Sequence, residues 1–336
     1  MTKARRTHPQ ATYNGTDISA DIINFSYTDN YDKTDSISIT LSDRNSQWSN
    51  DFFPETGATV SAAIKVFDWN APGDNRTLEL GTFEISRISY NGTVTIDATA
   101  VLITTNARSE AKNRAWVDIP LSAIAADIAG NAGLALVYDT GVDPFYDQMD
   151  QNNKSDLKFL EELCKSDGLC IKITDGQLIV YEEQKYEQKA PVTTITKGES
   201  YIIGNPNFTR NAKNIFKDCE ISYFCPKTDQ LYEGYFAAPN APDVGHMLKL
   251  REDYNSEGDD INLDRKAKAR LREQNKKEWT CDINLKGDII YLAATNVRYG
   301  GWGHFDGKYH IATATHTINN SGYTVALNTR RCLEGY

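Results

Sequence analysis

Three histidines near the carboxyl-terminal end, His304, His310 and His316, are evenly spaced, and imidazole nitrogens are common metal ligands. A turn at Asp306-Gly307 separates the first from the other two. No carboxylate or thiolate in a recognised ligand pattern accompanies them, so the expected fate is packing or surface exposure. The run Gly301-Trp-Gly-His-Phe-Asp-Gly-Lys308 superficially resembles a phosphate-binding loop. Its glycines are wrongly separated, Tyr309 stands where a Ser or Thr hydroxyl belongs, and strands rather than a helix are expected to follow. Cys164 and Cys170 are separated by five residues, as are Cys219 and Cys225, and no Cys-x-x-Cys exists. The six thiols are therefore expected to be reduced and mostly buried, in a protein made in a cytoplasm. Two pairs of acids, Glu182-Glu183 and Asp259-Asp260, fall in polar stretches that lack the apolar or charge-coupled setting a general acid needs. A Gly-x-Ser-x-Gly nucleophile elbow is missing too. The sequence thus predicts no catalysis, no cofactor and no metal.

The chain has 336 residues, enough for two or three domains, because single cores rarely grow beyond ~250–300 residues. Its 36 basic and 46 acidic side chains give a net charge of -10, which argues against a surface held on nucleic acid by phosphate neutralisation. The start shows no apolar segment behind its charges, so no signal peptide is expected. No apolar run approaches the ~20 residues of a membrane-spanning helix, and stable membrane insertion is not expected. The Asn-x-Thr matches at Asn14, Asn75 and Asn91 then mark turns rather than glycans.

The elements that must position any site are mostly strands. Ile37, Ile39 and Leu41 alternate with Ser36, Ser38, Thr40 and Ser42, and Val60, Ala62, Ile64 and Val66 repeat the pattern. Between these runs Trp48, Phe52 and Phe53 crowd one connection closed by Pro54 and Gly57, a plug over a core or a docking surface. A first strand is expected in residues 17–27, and Asn91-Gly92 predicts a hairpin. Around Arg108 the pattern changes. Helices are expected at 120–130, ending at Gly130, and at 155–165, capped by Ser155; a hairpin turns at Asp175-Gly176. Residues 182–190 are charged without a pattern and are expected to be a linker. Strands return after Thr193, with a hairpin over 216–236. A polar run over 237–260 and a helix over 263–279 follow, the basic residues of that helix expected in solvent.

Gly81-Thr-Phe83-Glu-Ile85, a turn, and Thr93-Val94 parallel Gly307-Lys-Tyr309-His-Ile311, a turn, and Thr324-Val325. The chain is therefore expected to hold one β module twice. The expected class is mainly β: two similar small β-barrels with an intervening α+β domain. The units are 1–103, 104–190 and 191–336, the last with a loop and helix insertion around 237–279.

Residues 36–48 leading to Phe53-Pro54-Glu55-x-Gly57, the Gly81–Ile85 block, Ser155-Asp-Leu-Lys-Phe159-Leu160 and the Gly168 to Gly176 hairpin stand in a definite order. With the helix over 263–279 and Phe305-Asp-Gly-Lys-Tyr309, this order resembles the baseplate hub proteins of contractile phage tails, the late control protein D family. The resemblance implies a homotrimer, assembled in the host cytoplasm and residing in the virion baseplate. It would join a sixfold tail tube, or a tube-initiator protein, to a threefold central spike, touch other baseplate proteins, and pass DNA or cargo only in transit. Trp48, Phe52, Phe53, Trp302 and Phe305 are the candidate interface residues. Two alternatives stay open: a hub of a contractile bacteriocin or injection machine, and a carbohydrate-binding or glycan-degrading tail protein using some of the five tryptophans and eighteen tyrosines.

Overall fold

A computed structural model describes residues 4–100, 110–213, 215–225, 228–239, 247–251 and 262–336. The expected break at Arg108, the Asp259-Asp260 pair and most of the polar run lie outside the described residues. The protein is mainly β.

The first module contains β1 (Arg6–Tyr13), β2 (Thr16–Asp17), β3 (Ile22–Asn30), β4 (Ser36–Ser42), β5 (Thr59–Phe67), β6 (Arg76–Tyr90) and β7 (Thr93–Thr99). The alternation works as the sequence predicts: Ile37, Ile39, Leu41, Val60, Ile64 and Val66 are buried, because successive strand residues point to opposite faces. The neighbour order is β3-β4-β7-β6-β5-β1-β2. Strand β1 was not expected. Its residues are mostly polar and include Pro9, and it pairs with β5 over its whole length near the edge of the sheet, where a proline is tolerated. At the β6–β7 turn Gly92 takes φ 90°, and the Asn91 side chain is bound by the Thr93 hydroxyl.

The middle of the chain adds β8 (Lys112–Pro120), α1 (Leu121–Asn131), β9 (Ala135–Asp139), β10 (Phe145–Lys154), α2 (Asp156–Ser166), β11 (Cys170–Thr174), β12 (Gln177–Tyr181) and α3 (Glu183–Gln188). Helices α1 and α2 bury Leu121, Ile124, Ile128, Phe159 and Leu160 against Leu178 and Val180 of the β11-β12-β9 sheet. Helix α1 runs past Gly130, and Gly133 beyond its end takes the left-handed φ of 67°. Ser155 stands at the N-cap of α2 without a side-chain bond. Both residues of the Asp175-Gly176 turn have positive φ, as a two-residue hairpin requires. The ribbon of β8 and β10, polar along much of its length, was not visible in the sequence.

The remainder comprises β13 (Thr193–Thr196), β14 (Ile202–Arg210), β15 (Asp218–Cys225), β16 (Gln230–Ala237), β17 (Met247–Arg251), α4 (Leu263–Asn275), β18 (Trp279–Lys286), β19 (Asn296–Gly300), β20 (Gly307–Asn319) and β21 (Gly322–Arg331). Strands β15, β16 and β17 form their own sheet, and α4 packs on it through Leu263, Ala267 and Leu271. The hairpin over 216–236 thus pairs within the inserted unit rather than in the second module. Helix α4 stops at Asn275, and Trp279 already begins a strand.

The second module has the neighbour order β14-β18-β21-β20-β19-β13. This is the order β3-β4-β7-β6-β5-β1 with each strand replaced by its counterpart in chain sequence. Local details repeat too. The β6–β7 ladder slips register between Ile85 and Arg87, and the β20–β21 ladder between Ile311 and Thr313. Gly57 N–H donates to Ile85 O at 2.8 Å and Ile85 N–H to Ala58 O at 2.8 Å. Ala294 N–H donates to Ile311 O at 3.0 Å and Ile311 N–H to Thr295 O at 2.8 Å. Gly57 and Ala294 both hold positive φ, 85° and 60°. An alanine adopts that strained backbone only where its surroundings dictate it. One feature differs: β1 runs antiparallel to β5, whereas β13 runs parallel to β19. The modules share one apolar core and one sheet, because β3 pairs antiparallel with β20.

The middle unit docks on the first module at Gly81, whose φ is +82°. A Cβ there would lie 2.4 Å from Asp175 Oδ1 and 2.9 Å from its Cα. Gly81→Ala is therefore expected to destabilise the protein by ~1–3 kcal/mol and to speed amide exchange at the Asp175-Gly176 turn. Gly92→Ala, with equally positive φ but open space, is the control, read by denaturant unfolding and hydrogen exchange.

Candidate functional site

Helix α3 occupies the stretch expected to be a linker, and its acids are not solvated. Glu183 and Glu187 lie one turn apart on one face, as do Arg272 of α4 and Lys276 at its C-cap. The two faces meet, and Arg330 of β21 joins them. Glu183 pairs with Arg330, with Lys276 Nζ at 3.1 Å and with Arg272 Nη2 at 3.4 Å. Glu187 pairs with Arg272 and Arg330 and accepts the Leu333 N–H at 3.1 Å. All five side chains are buried. Burial alone would raise the Glu183 carboxyl, but Arg330, Lys276 and Arg272 outweigh it and hold it well below the usual carboxylate range. The sequence placed the α4 cations in solvent; the matched four-residue spacings of Glu183/Glu187 and Arg272/Lys276 were the signal for the cluster. From β19, Asn296 Nδ2 donates to Tyr186 O at 2.8 Å and Lys189 O at 2.9 Å, fixing the end of α3.

A second buried cluster joins all three parts of the fold. Lys172 of β11 pairs with Asp29 of β3 and lies 3.4 Å from Oδ1 of Asp35, which immediately precedes β4. Asp29 Oδ2 accepts the Ala293 N–H at 2.8 Å from the connection between β18 and β19. Asp35 accepts from Tyr27 Oη at 3.1 Å. Its carboxyl is pushed up to about 6, chiefly by burial and partly by Asp29, against the pull of Lys172.

The histidines separate as the sequence predicts. His304 is exposed, whereas His310 and His316 are buried. His310 Nδ1 lies 2.9 Å from Asn296 Oδ1. His316 Nδ1 lies 2.7 Å from Tyr323 Oη and its Nε2 2.9 Å from Tyr291 O, so the neutral ring accepts at one nitrogen and donates at the other. Burial lowers both, His310 to about 3 with help from Arg330, and His316 to about 4. Among the described residues no three His, Cys, Asp or Glu side chains are arranged to hold a metal. The buried thiols lie in separate cores, Cys164 in the middle unit, Cys219 and Cys225 in the inserted unit and Cys281 beneath the large sheet.

The five candidate interface aromatics divide. Trp48 is 4 % exposed and donates its indole N–H to Asp21 Oδ2 at 3.0 Å, so it plugs the core. Trp302 and Phe305 are half-buried and pack against Phe208, with ring centroids 5.4 and 5.2 Å away. Phe52 and Phe53 stay open, 57 % and 50 % exposed. Near Trp302, the Trp279 ring carries the guanidinium groups of Arg210 and Arg331 at 4.8 and 4.2 Å, a cation–π pair that competes with any stacking ligand.

Two outcomes follow for the clusters. Glu183→Gln is expected to cost ~3–5 kcal/mol, because it strands buried cations, while the exposed pair variant Lys154→Gln costs below ~1 kcal/mol. For His316 the folded pKa lies below the ordinary 6.5, so between pH 6.5 and 4 the unfolded chain binds a proton that the folded chain refuses. Stability from this group is full above pH 6.5 and is lost toward pH 4; Asp35, shifted upward, opposes it over part of that window. His316→Gln should flatten the fall in melting temperature over this range, measured by calorimetry at each pH.

No protein-family model matches the sequence, and no curated protein is detectably similar to it. Solved structures do match. The tail protein from Neisseria meningitidis MC58 superposes with a TM-score of 0.70 at 13 % identity, covering 97 % of this chain and 96 % of that one. The 43 kDa tail protein of prophage MuSo2 from Shewanella oneidensis gives 0.67 at 13 % identity, covering 97 % and 99 %. The E. coli c3393 protein, a component of the type VI secretion system with structural similarity to T4 tail proteins gp27 and gp5, gives 0.58 at 12 % identity, covering 99 % and 78 %. Over nearly its full length, the chain has the fold of phage tail proteins.

Proposed function

We propose that the chain is the structural hub of a contractile-tail baseplate, acting without catalysis. The observation that carries this reading is the duplication. Two modules with the same order of six strands, the same register slip and a left-handed residue before the fourth of those strands give one chain two similar faces. Each module is taken as a small barrel, the first within residues 1–103 and the second within 191–336, with 104–190 as the α+β unit. Three such chains present six similar surfaces above and three identical ones below, which is what a sixfold tube and a threefold spike require of an adapter. DNA or cargo would cross the lumen without being held, in keeping with the net charge of -10.

A second reading, the hub of an injection or secretion machine, is favoured by the likeness to the c3393 protein, whose overlap takes in 99 % of this chain. A carbohydrate-binding role is disfavoured by the packing of Trp48, Trp279 and Trp302 against protein groups. Light scattering coupled to size exclusion is expected to give three times the 37.6 kDa chain mass, and co-expression with a tube protein and a spike protein is expected to recover both. A stable monomer that captures neither protein would refute the hub.

A further inference from the structure

Within the chain the two modules meet along one seam. Gly307–His310 of β20 pair with β19, and beyond the register slip Thr313–Asn319 pair with β3. The connection over residues 287–295 covers this seam. Asp288 accepts from Arg76 at 3.3 Å, Ala293 donates to Asp29, and Ile289 and Tyr291 are buried.

The duplication gives each part of this seam a counterpart. Strand β6 corresponds to β20, β14 to β3, and the connection over 43–58 to that over 287–295. Beyond its own slip, β6 carries the overhang Arg87–Tyr90, which pairs with β7 on one side and with no described strand on the other. Strand β14 ends the sheet, and among the described residues no strand pairs with its outer edge. The connection over 43–58 leaves Phe52 and Phe53 open where its counterpart buries Ile289 and Tyr291.

The backbone directions agree as well. Asn211 N–H donates to Glu278 on the β18 side, so by antiparallel alternation the amides of Phe208 and Arg210 point to the free edge. Asn91 N–H donates to Thr93 O, so those of Ile88 and Tyr90 point to the free edge of β6. The β14 ladder slips between Ile203 and Asn207, around Pro206, which confines a new partner to Asn207–Arg210. That segment has the same length as the overhang Arg87–Tyr90.

We propose that the β6 overhang and the Phe52-Phe53 connection of one copy receive the β14 edge of a second copy. The contact repeats between chains the antiparallel seam that β20 and β3 make within one. It is head-to-tail, and alternating inner and outer seams close three chains into a ring of six modules. This inference rests on the trimeric reading above and names the surfaces that build it.

The test uses the full-length chain. Phe52→Glu with Phe53→Glu charges one side of the seam, and Arg210→Pro removes an outward amide on the other, with Arg210→Ala as the control for side-chain loss. Each variant should keep the wild-type circular dichroism spectrum, because the Phe52 and Phe53 rings are exposed and the Arg210 amide makes no bond within the β14–β18 ladder. Self-association in sedimentation is expected to weaken by roughly 30-fold or more for either variant, the scale of losing an interface anchor, and little for Arg210→Ala. An equimolar mixture of the two variants should form a one-to-one dimer and nothing larger, since only one intact seam is possible between them. Trimers that survive both variants would overturn the seam while leaving the trimeric hub standing. Two monomeric variants whose mixture stays monomeric would overturn its head-to-tail assignment. A wild-type chain that is monomeric at every concentration would overturn both the seam and the trimer.

Discussion

Asp29 carries one buried negative charge that three separate parts of the chain use at once. It belongs to β3, it is neutralised by Lys172 from the middle unit, and it accepts an amide from Ala293 beside the second module. A carboxylate removed from water is costly unless every lone pair is met. None of the three parts can therefore leave without stranding the charge it shares. The joint is directional in a way an apolar contact is not, because an ammonium and an amide must both aim at the same two oxygens. The modules are thus held in one relation by chemistry rather than by shape alone.

The cluster around Glu183 and Glu187 does the same at the other end of the middle unit. It fastens the segment between the units to α4 and to β21, so the inserted unit and the second module are tied through a helix of only six residues. Such a short helix has little stability of its own; tertiary contacts must hold it. Here two acids gripped by three cations, and its terminal carbonyls gripped by Asn296, supply them. Apolar burial gives the fold its mass, while these two charged joints set how its parts are aligned.

The sequence showed the strands wherever a period of two put isoleucine, valine or leucine on one face, as in β4 and β5. It showed the duplication through one hairpin, Gly81 to Val94 against Gly307 to Val325, because those residues set a buried aromatic, a slip and a turn that the backbone must repeat. It did not show β1, β8 or β10, in which polar residues leave no clear period of two. It also hid α3. A charged stretch without apolar periodicity looks like a linker when its burial depends on cations more than 80 residues away. Among the aromatics, sequence could not separate Trp48, held inward by Asp21, from Phe52 and Phe53, which have no such anchor. That difference is tertiary.

The pairing of β3 with β20 has a further effect, on how the protein is made. Thr28 and Thr315, hydrogen-bonded across that seam, lie 287 positions apart. During synthesis β3 must wait, one flank bare, until almost the entire polypeptide has left the ribosome. Topologies closed by such distant partners fold slowly, and a waiting strand invites pairing with the wrong neighbour. Crowded translation of many copies makes a chaperone or an early-arriving companion chain valuable to such a nascent polypeptide.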